Sequence, residues 1–179
     1  MQKYTYQAPF VKNATKKSII YNSMQEAVGA IQRYYPTFIH YAFDWFAGRF
    51  CFFVSFRAFN LNEEIVINAS MKNHLLGVPD YYIEFLQGEG SGVTLHAKQE
   101  NEFDVFTPEF LIKGAAIEIY TKKSLIDVVQ FYENGQVIAR WHCYVKEKFK
   151  ASVEIKAEAS IQDPLFYALI GQMFYMVGS

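Results

Sequence analysis

Asp163-Pro164-Leu165-Phe166-Tyr167-Ala168-Leu169-Ile170-Gly171-Gln172-Met173-Phe174-Tyr175-Met176-Val177-Gly178 is the segment on which the fold turns. Asp163 can accept the first free backbone N–H groups of a helix, and Pro164 suits the first helical position, where a missing donor costs little. A helix is therefore predicted over 163–177, with Gly178 as its stop. From Leu165 to Val177 only Gly171 and Gln172 interrupt an apolar and aromatic run, so every face of this helix seeks burial. At 1.5 Å per residue, roughly fourteen residues reach about 21 Å against a hydrocarbon core of ~30 Å. That length predicts a buried core helix and no transmembrane span.

A helix apolar all round needs a shell, and the rest of the sequence reads as strands. The clearest local signal is Asn134-Gly135, because both central positions of a type I′ turn need φ > 0 and these residues tolerate it. Val128 to Glu133 leads in and Gln136 to Val145 leads out. On the second arm Val137, Ala139, Trp141, Cys143 and Val145 form one face, expected inward, and Ile138, Arg140, His142 and Tyr144 the other. Further strands are predicted at 4–10, 18–23, 27–35, 64–69, 81–86, 93–97, 110–112, 116–121 and 152–157. Between Ile39 and Phe46, alternation of Ile39, Tyr41, Phe43 and Trp45 with His40 and Asp44 reads as a half-buried strand. It would turn at Ala47-Gly48-Arg49 and pair as a hairpin with Phe50 to Phe56, an amphipathic helix around Tyr41 being the alternative. The short spacing favours antiparallel strands over β-α-β units.

Length and composition fit this picture. The 179 residues suit a single domain, 1–179, and a chain that is 51% hydrophobic and 20% charged is not disordered. An aromatic share of 18% points to a sheet-rich protein with an aromatic core. The formal net charge of −1 supplies no global field for nucleic acid or an anionic surface, so any such contact needs a local patch, and no specific nucleic-acid partner is expected. Cys51 and Cys143 lie outside any C-x-x-C spacing, and Met1 to Tyr6 lacks the apolar run of a signal peptide. Both features lead to the expectation of a cytoplasmic protein, in which the acceptor patterns at Asn13 and Asn68 are chance matches.

Three sets of residues carry a resemblance: Ile20-Tyr21-Asn22 followed by Gly29-Ala30-Ile31-Gln32-Arg33; the hairpin Phe131-Tyr132-Glu133-Asn134-Gly135-Gln136-Val137-Ile138-Ala139-Arg140-Trp141; and Asp163-Pro164-Leu165-Phe166. Together with the terminal helix they resemble the tubby C-terminal-like superfamily of tubby proteins, LURP-one-related proteins and phospholipid scramblases. The resemblance covers nearly the whole chain. It implies a mainly β fold, a closed antiparallel β-barrel of many short strands around the buried apolar C-terminal helix. It also implies phosphoinositide binding through basic surface residues, as in tubby proteins, although the cysteine cluster of scramblases is absent.

Candidate chemistry is sparse. His142 and Cys143 are adjacent and would face opposite sides of a strand, while His40, His74 and His96 have no ligand spacing, so neither metal nor cofactor is expected. Gly88-Glu89-Gly90-Ser91-Gly92 fits neither the nucleophile elbow nor a phosphate loop and reads as a hairpin loop. Glu63-Glu64 reads as a turn, and Glu100, Glu102 and Asp104 as a polar connector. No catalytic residue is expected.

One patch remains. Lys146, Lys148 and Lys150 share a face if the local chain is extended, beside Arg140 and Tyr144 of the same parity. Such a stripe could hold an anionic phospholipid headgroup, with the protein then peripheral to a membrane, or a protein partner; lysines that only guard a sheet edge are the plainer reading. The sequence thus points to a non-enzymatic binding module. A small-ligand carrier or enzyme with an apolar barrel pocket is the alternative, since an aromatic interior can line a cavity as well as fill one.

Overall fold

The computed structural model describes residues 1–9, 14–47, 54–71, 80–87, 92–101, 107–114, 116–124 and 128–176. Its strands, in chain order, are β1 (Gln2–Gln7), β2 (Ser18–Tyr21), β3 (Ala27–Tyr34), β4 (Ser55–Phe59), β5 (Ile65–Met71), β6 (Asp80–Phe85), β7 (Thr94–Gln99), β8 (Glu109–Gly114), β9 (Ile117–Lys123), β10 (Val128–Glu133), β11 (Gln136–Tyr144) and β12 (Lys150–Ile155). Each pairs antiparallel with its sequence neighbours, and β1 pairs with β12, from Gln2↔Ile155 to Gln7↔Lys150, which closes the barrel. Closure leaves no free sheet edge. Helix α1 (Phe38–Ala47) joins β3 to β4, and helix α2 (Pro164–Met176) follows β12.

The helix at the C-terminus forms as the sequence predicts. Asp163 caps it, its Oδ1 accepting the Leu165 N–H at 2.8 Å. Burial is the larger influence on that carboxyl and raises its pKa, while hydrogen bonds from the Leu165 and Phe166 N–H groups oppose the rise. At the other end the buried Lys123 Nζ donates to the Tyr175 carbonyl at 3.2 Å, placing a cation at the negative end of the helix. Every residue from Leu165 to Phe174 is buried.

α2 lies inside the sheet, and the inward residues of many strands meet it. Phe110 of β8 stacks on Phe174 at 3.8 Å between ring centroids, and Phe85 of β6 stacks on Phe166 at 5.8 Å. Phe131 meets Tyr167 edge-on at 5.0 Å. Gly171 lets the helix approach β11, since a Cβ there would stand 2.2 Å from Cγ of the buried Trp141. One chain of polar groups crosses the interior: Trp141 Nε1 donates to the Tyr6 hydroxyl at 2.7 Å, and that hydroxyl donates to Gln172 Oε1 at 3.0 Å. Burial, above all, pushes the Tyr6 pKa well above the ordinary tyrosine value.

The two ends of the barrel differ. At one end strands meet in tight turns: Asn134 and Gly135 have φ of 50° and 76°, as a type I′ turn requires. Asn22 and Asn60 build matching turns, each side-chain oxygen accepting two backbone N–H groups, from Met24 and Glu26 and from Asn62 and Glu64. The opposite end carries α1, the β11–β12 connection and the C-terminus of α2, because β3 and β11 end there and β4 and β12 start there.

Two expectations need correction. The strand read over Ile39 to Phe46 is helix α1, so its hairpin with Phe50 to Phe56 does not exist; β4 pairs with β3 and β5 instead. The helix wins because Thr37, after Pro36, caps it with Oγ1 accepting the His40 N–H at 3.4 Å, and because Asp44 is drawn inward to a buried ion pair with Arg33. Residues 48–53, with the turn expected at Gly48-Arg49, lie outside the described residues. The extended run through Lys146 and Lys148 is also broken: Val145–Glu147 forms a 3-10 turn, and Lys148 and Phe149 follow with φ of 56° and 63°. Crossing between adjacent strands in five residues demands that reversal.

Candidate functional site: a polar groove on the outer barrel wall

α2 lies inside the barrel, and the outward side chains of the strands face solvent. Residues directly paired across strands share a face, so register builds the wall row by row. Gln130, Arg140, Glu154 and Lys3 make one row across β10, β11, β12 and β1. Val128, His142, Ser152 and Thr5 make the next, and Tyr144, Lys150 and Gln7 the third. A groove of about 420 Å³ runs over these rows, lined among others by Ser124, Gln130, Arg140, His142, Ser152 and Glu154.

Arg140 is exposed and makes no ion pair or side-chain hydrogen bond among the described residues, as is also true of Lys146, Lys148 and Lys150. Its cross-strand neighbour Glu154 is engaged on the other side by Lys3, Nζ to Oε1 3.3 Å. That row therefore holds two cations against one carboxylate. The His142 ring lies 3.8 Å from that of Tyr144, and the Ser124 hydroxyl is buried without a partner among the described residues. A planar guanidinium surrounded by hydroxyl, amide and imidazole groups can hold an oxyanion with several donors at once. A second outer groove, about 450 Å³ beside Glu118, Tyr120 and Tyr132, offers no such donor set.

The residues expected from sequence separate into two groups. Arg140 and Lys150 do share an outward face, because Lys150 pairs with Tyr144 and Arg140 has the parity of Tyr144. Lys146 and Lys148 stand on the 3-10 turn at the α1 end of the same wall. Gln130, Ser152 and Lys3 were missed, since only strand order brings them beside Arg140; no local pattern carries that information. His142 faces outward and Cys143 is buried, on opposite faces as read.

The remaining candidates do not assemble. His40 contacts Thr37 on α1, and His96 pairs with Asp80 beside Tyr82. His74, Cys51, Glu102, Asp104 and residues 88–91 lie outside the described residues. Among the described residues no three His, Cys, Asp or Glu side chains stand close enough to hold a metal ion. Nor is any described helix long and apolar enough to cross a membrane.

The family model described as Tubby C-terminal like domain matches residues 4–177. This chain belongs to that family. The match runs from β1 through the last turn of α2, so the tubby-like barrel comprises both the closed wall and the helix within it. No curated protein and no solved structure matches the chain significantly.

Proposed function

We propose that this tubby-like barrel is a non-enzymatic binding module that holds a phosphate-bearing lipid headgroup on its outer wall, over β10, β11 and β12. One observation carries the reading: Arg140 stands in the polar groove with no partner among the described residues. An arginine so placed breaks no ion pair among the described residues when it turns toward an oxyanion. Lys150 on the same face, with Lys146 and Lys148 on the adjoining turn, adds cations along one approach. In the cell the module would be cytoplasmic and peripheral to a membrane. The rival reading, a small-ligand carrier or an enzyme with an apolar barrel pocket, needs interior space that α2 occupies. A protein partner is the remaining alternative.

The test is co-flotation with vesicles containing a phosphoinositide. Each basic side chain near an anionic surface contributes about 1 kcal/mol, roughly a fivefold change in partitioning. Arg140→Ala should lower binding about fivefold, and Arg140→Ala with Lys150→Ala about twenty-fivefold, both effects fading at high salt. Equal flotation of variant and wild type, or none at all, would remove the lipid reading.

A further inference from the structure

Helix α1 is amphipathic in the wrong sense for a soluble surface. Among the described side chains of α1 the buried one is Asp44, 4% exposed and ion-paired with Arg33, itself 1% exposed, and Tyr35 donates its hydroxyl to Asp44 Oδ2 at 3.2 Å. Its outer face is Phe38 at 79%, Ile39 at 75%, Trp45 at 60%, Phe46 at 80% and Tyr41 at 39% exposed. At 100° per residue these five span an arc of about 160°, with Phe38, Ile39 and Phe46 turned farthest from Asp44 and Tyr41 at the edge nearest it. Apart from Asp44 and His40, α1 contains no titratable side chain other than Tyr41. The ion pair fixes the polar side inward and leaves the aromatic side in water.

We propose that α1 enters the interfacial layer of an anionic bilayer, lying flat with Phe38, Trp45 and Phe46 among the headgroups and upper acyl chains. The occupant follows from three observations. Ten residues span about 15 Å, far short of a bilayer, so the helix can lie in the interface but not cross it. The outer face combines Trp and Tyr with Phe and Ile and bears no charge, the composition of an interfacial anchor. Charge complements it on the same end of the barrel: Lys146 and Lys148 stand on the β11–β12 turn with Lys150 beside them, against the single Glu147. The strands β12 and β3, which bound the two features, are three interstrand spacings apart, about 14 Å along the sheet. Exposed Lys16, on the connection into β2, lies between them. A bilayer touching the α1 end would meet the aromatic helix and the lysine turn together. The inference rests on the headgroup reading and extends it with a second, apolar contact.

The chain has two tryptophans, Trp45 and Trp141, and Trp141 is wholly buried against α2. Lipid-dependent fluorescence therefore reports α1 alone. Full-length protein is mixed with phosphatidylcholine vesicles, with and without phosphatidylserine, bearing lipids brominated at chosen acyl positions. The expected result is a blue shift with quenching strongest from shallow bromines on anionic vesicles, absent in Trp45→Phe. Trp45→Ser with Phe46→Ser, whose near-ultraviolet circular dichroism checks the fold, should weaken vesicle partitioning roughly tenfold. Vesicle binding without quenching would overturn the α1 anchor and leave the headgroup reading standing. Quenching on anionic vesicles that persists in Arg140→Ala with Lys150→Ala would support the anchor and remove the headgroup reading, whereas equal quenching on neutral vesicles would overturn the anionic requirement of the proposal. No quenching, but dimerisation in sedimentation velocity that the Ser variants abolish, would overturn the proposal in favour of a second copy of the chain.

Discussion

At the scale of single residues, Gly171 decides how closely α2 can approach the wall. A Cβ built there stands 2.2, 2.5 and 2.6 Å from Cγ, Cδ1 and Cβ of Trp141, and Trp141 is held by the hydrogen bond from its ring to Tyr6. Neither partner can give way without breaking the Trp141-Tyr6-Gln172 chain. Gly171→Ala should therefore destabilise the fold by about 3 kcal/mol, the upper part of the range for overpacking, although alanine favours helix. A urea titration measures it; an unchanged midpoint would mean that α2 does not seat against β11 as described. The sequence presents Gly171 only as an interruption in an apolar run. Its role depends on Trp141, thirty positions away and opposite it only because α2 lies inside the barrel. Arg140 is legible in a different way: its parity on β11 can be read from Asn134-Gly135, but its lack of a partner among the described residues depends on Glu154 being engaged by Lys3 of β1.

Elements were legible where a local rule matched the tertiary outcome. Pairing β10 with β11 followed from one turn, and α2 from a cap, a proline and an apolar run. At α1 two periods competed over the same ten residues, and alternation of Ile39, Tyr41, Phe43 and Trp45 concealed the 3.6-residue pattern. The deciding forces were Thr37 as cap and the long-range attraction of Arg33 for Asp44. The lysine stripe failed in part for a related reason: parity extends only as far as the strand, and the 3-10 turn ends it at Tyr144. The cap of α2 gives an element-scale prediction. Burial raises the Asp163 pKa more than the Leu165 and Phe166 N–H groups lower it, so this group contributes stability below the carboxylate's ordinary value of 3.8 that is lost as pH rises through the folded value. Ionised Asp163 is thus an imperfect cap at neutral pH. Asp163→Asn, which keeps the acceptor without the charge, should be neutral or stabilising at pH 7, whereas Asp163→Ala should cost about 1 kcal/mol. A thermal melt of both variants distinguishes them, and equal losses would mean that the charge itself holds the helix.

For the whole molecule, a wall of twelve strands encloses a helix whose residues Leu165 to Phe174 are all buried, and the binding proposed above is accordingly placed on the outer wall. The two ends divide the work: tight asparagine-based turns close one, while α1, the lysine turn and the last turn of α2 gather at the other. The mainly β character and the nature of the terminal helix could be read from short-range pattern, whereas closure of the strands into a barrel around that helix came only from the family resemblance. The groove could not be read, since its rows join residues as distant as Lys3 and Glu154, and only the closure of β1 on β12 brings them together. The most direct test of an outer site on a plugged barrel is a titration of the isotope-labelled protein with a soluble inositol bisphosphate, followed by amide and side-chain NMR shifts. The expected shifts saturate and centre on Arg140, His142, Tyr144 and Lys150, with Phe110, Trp141 and Phe174 unmoved. Shifts centred on those interior aromatics, or no saturable shift at Arg140, would contradict the outer site.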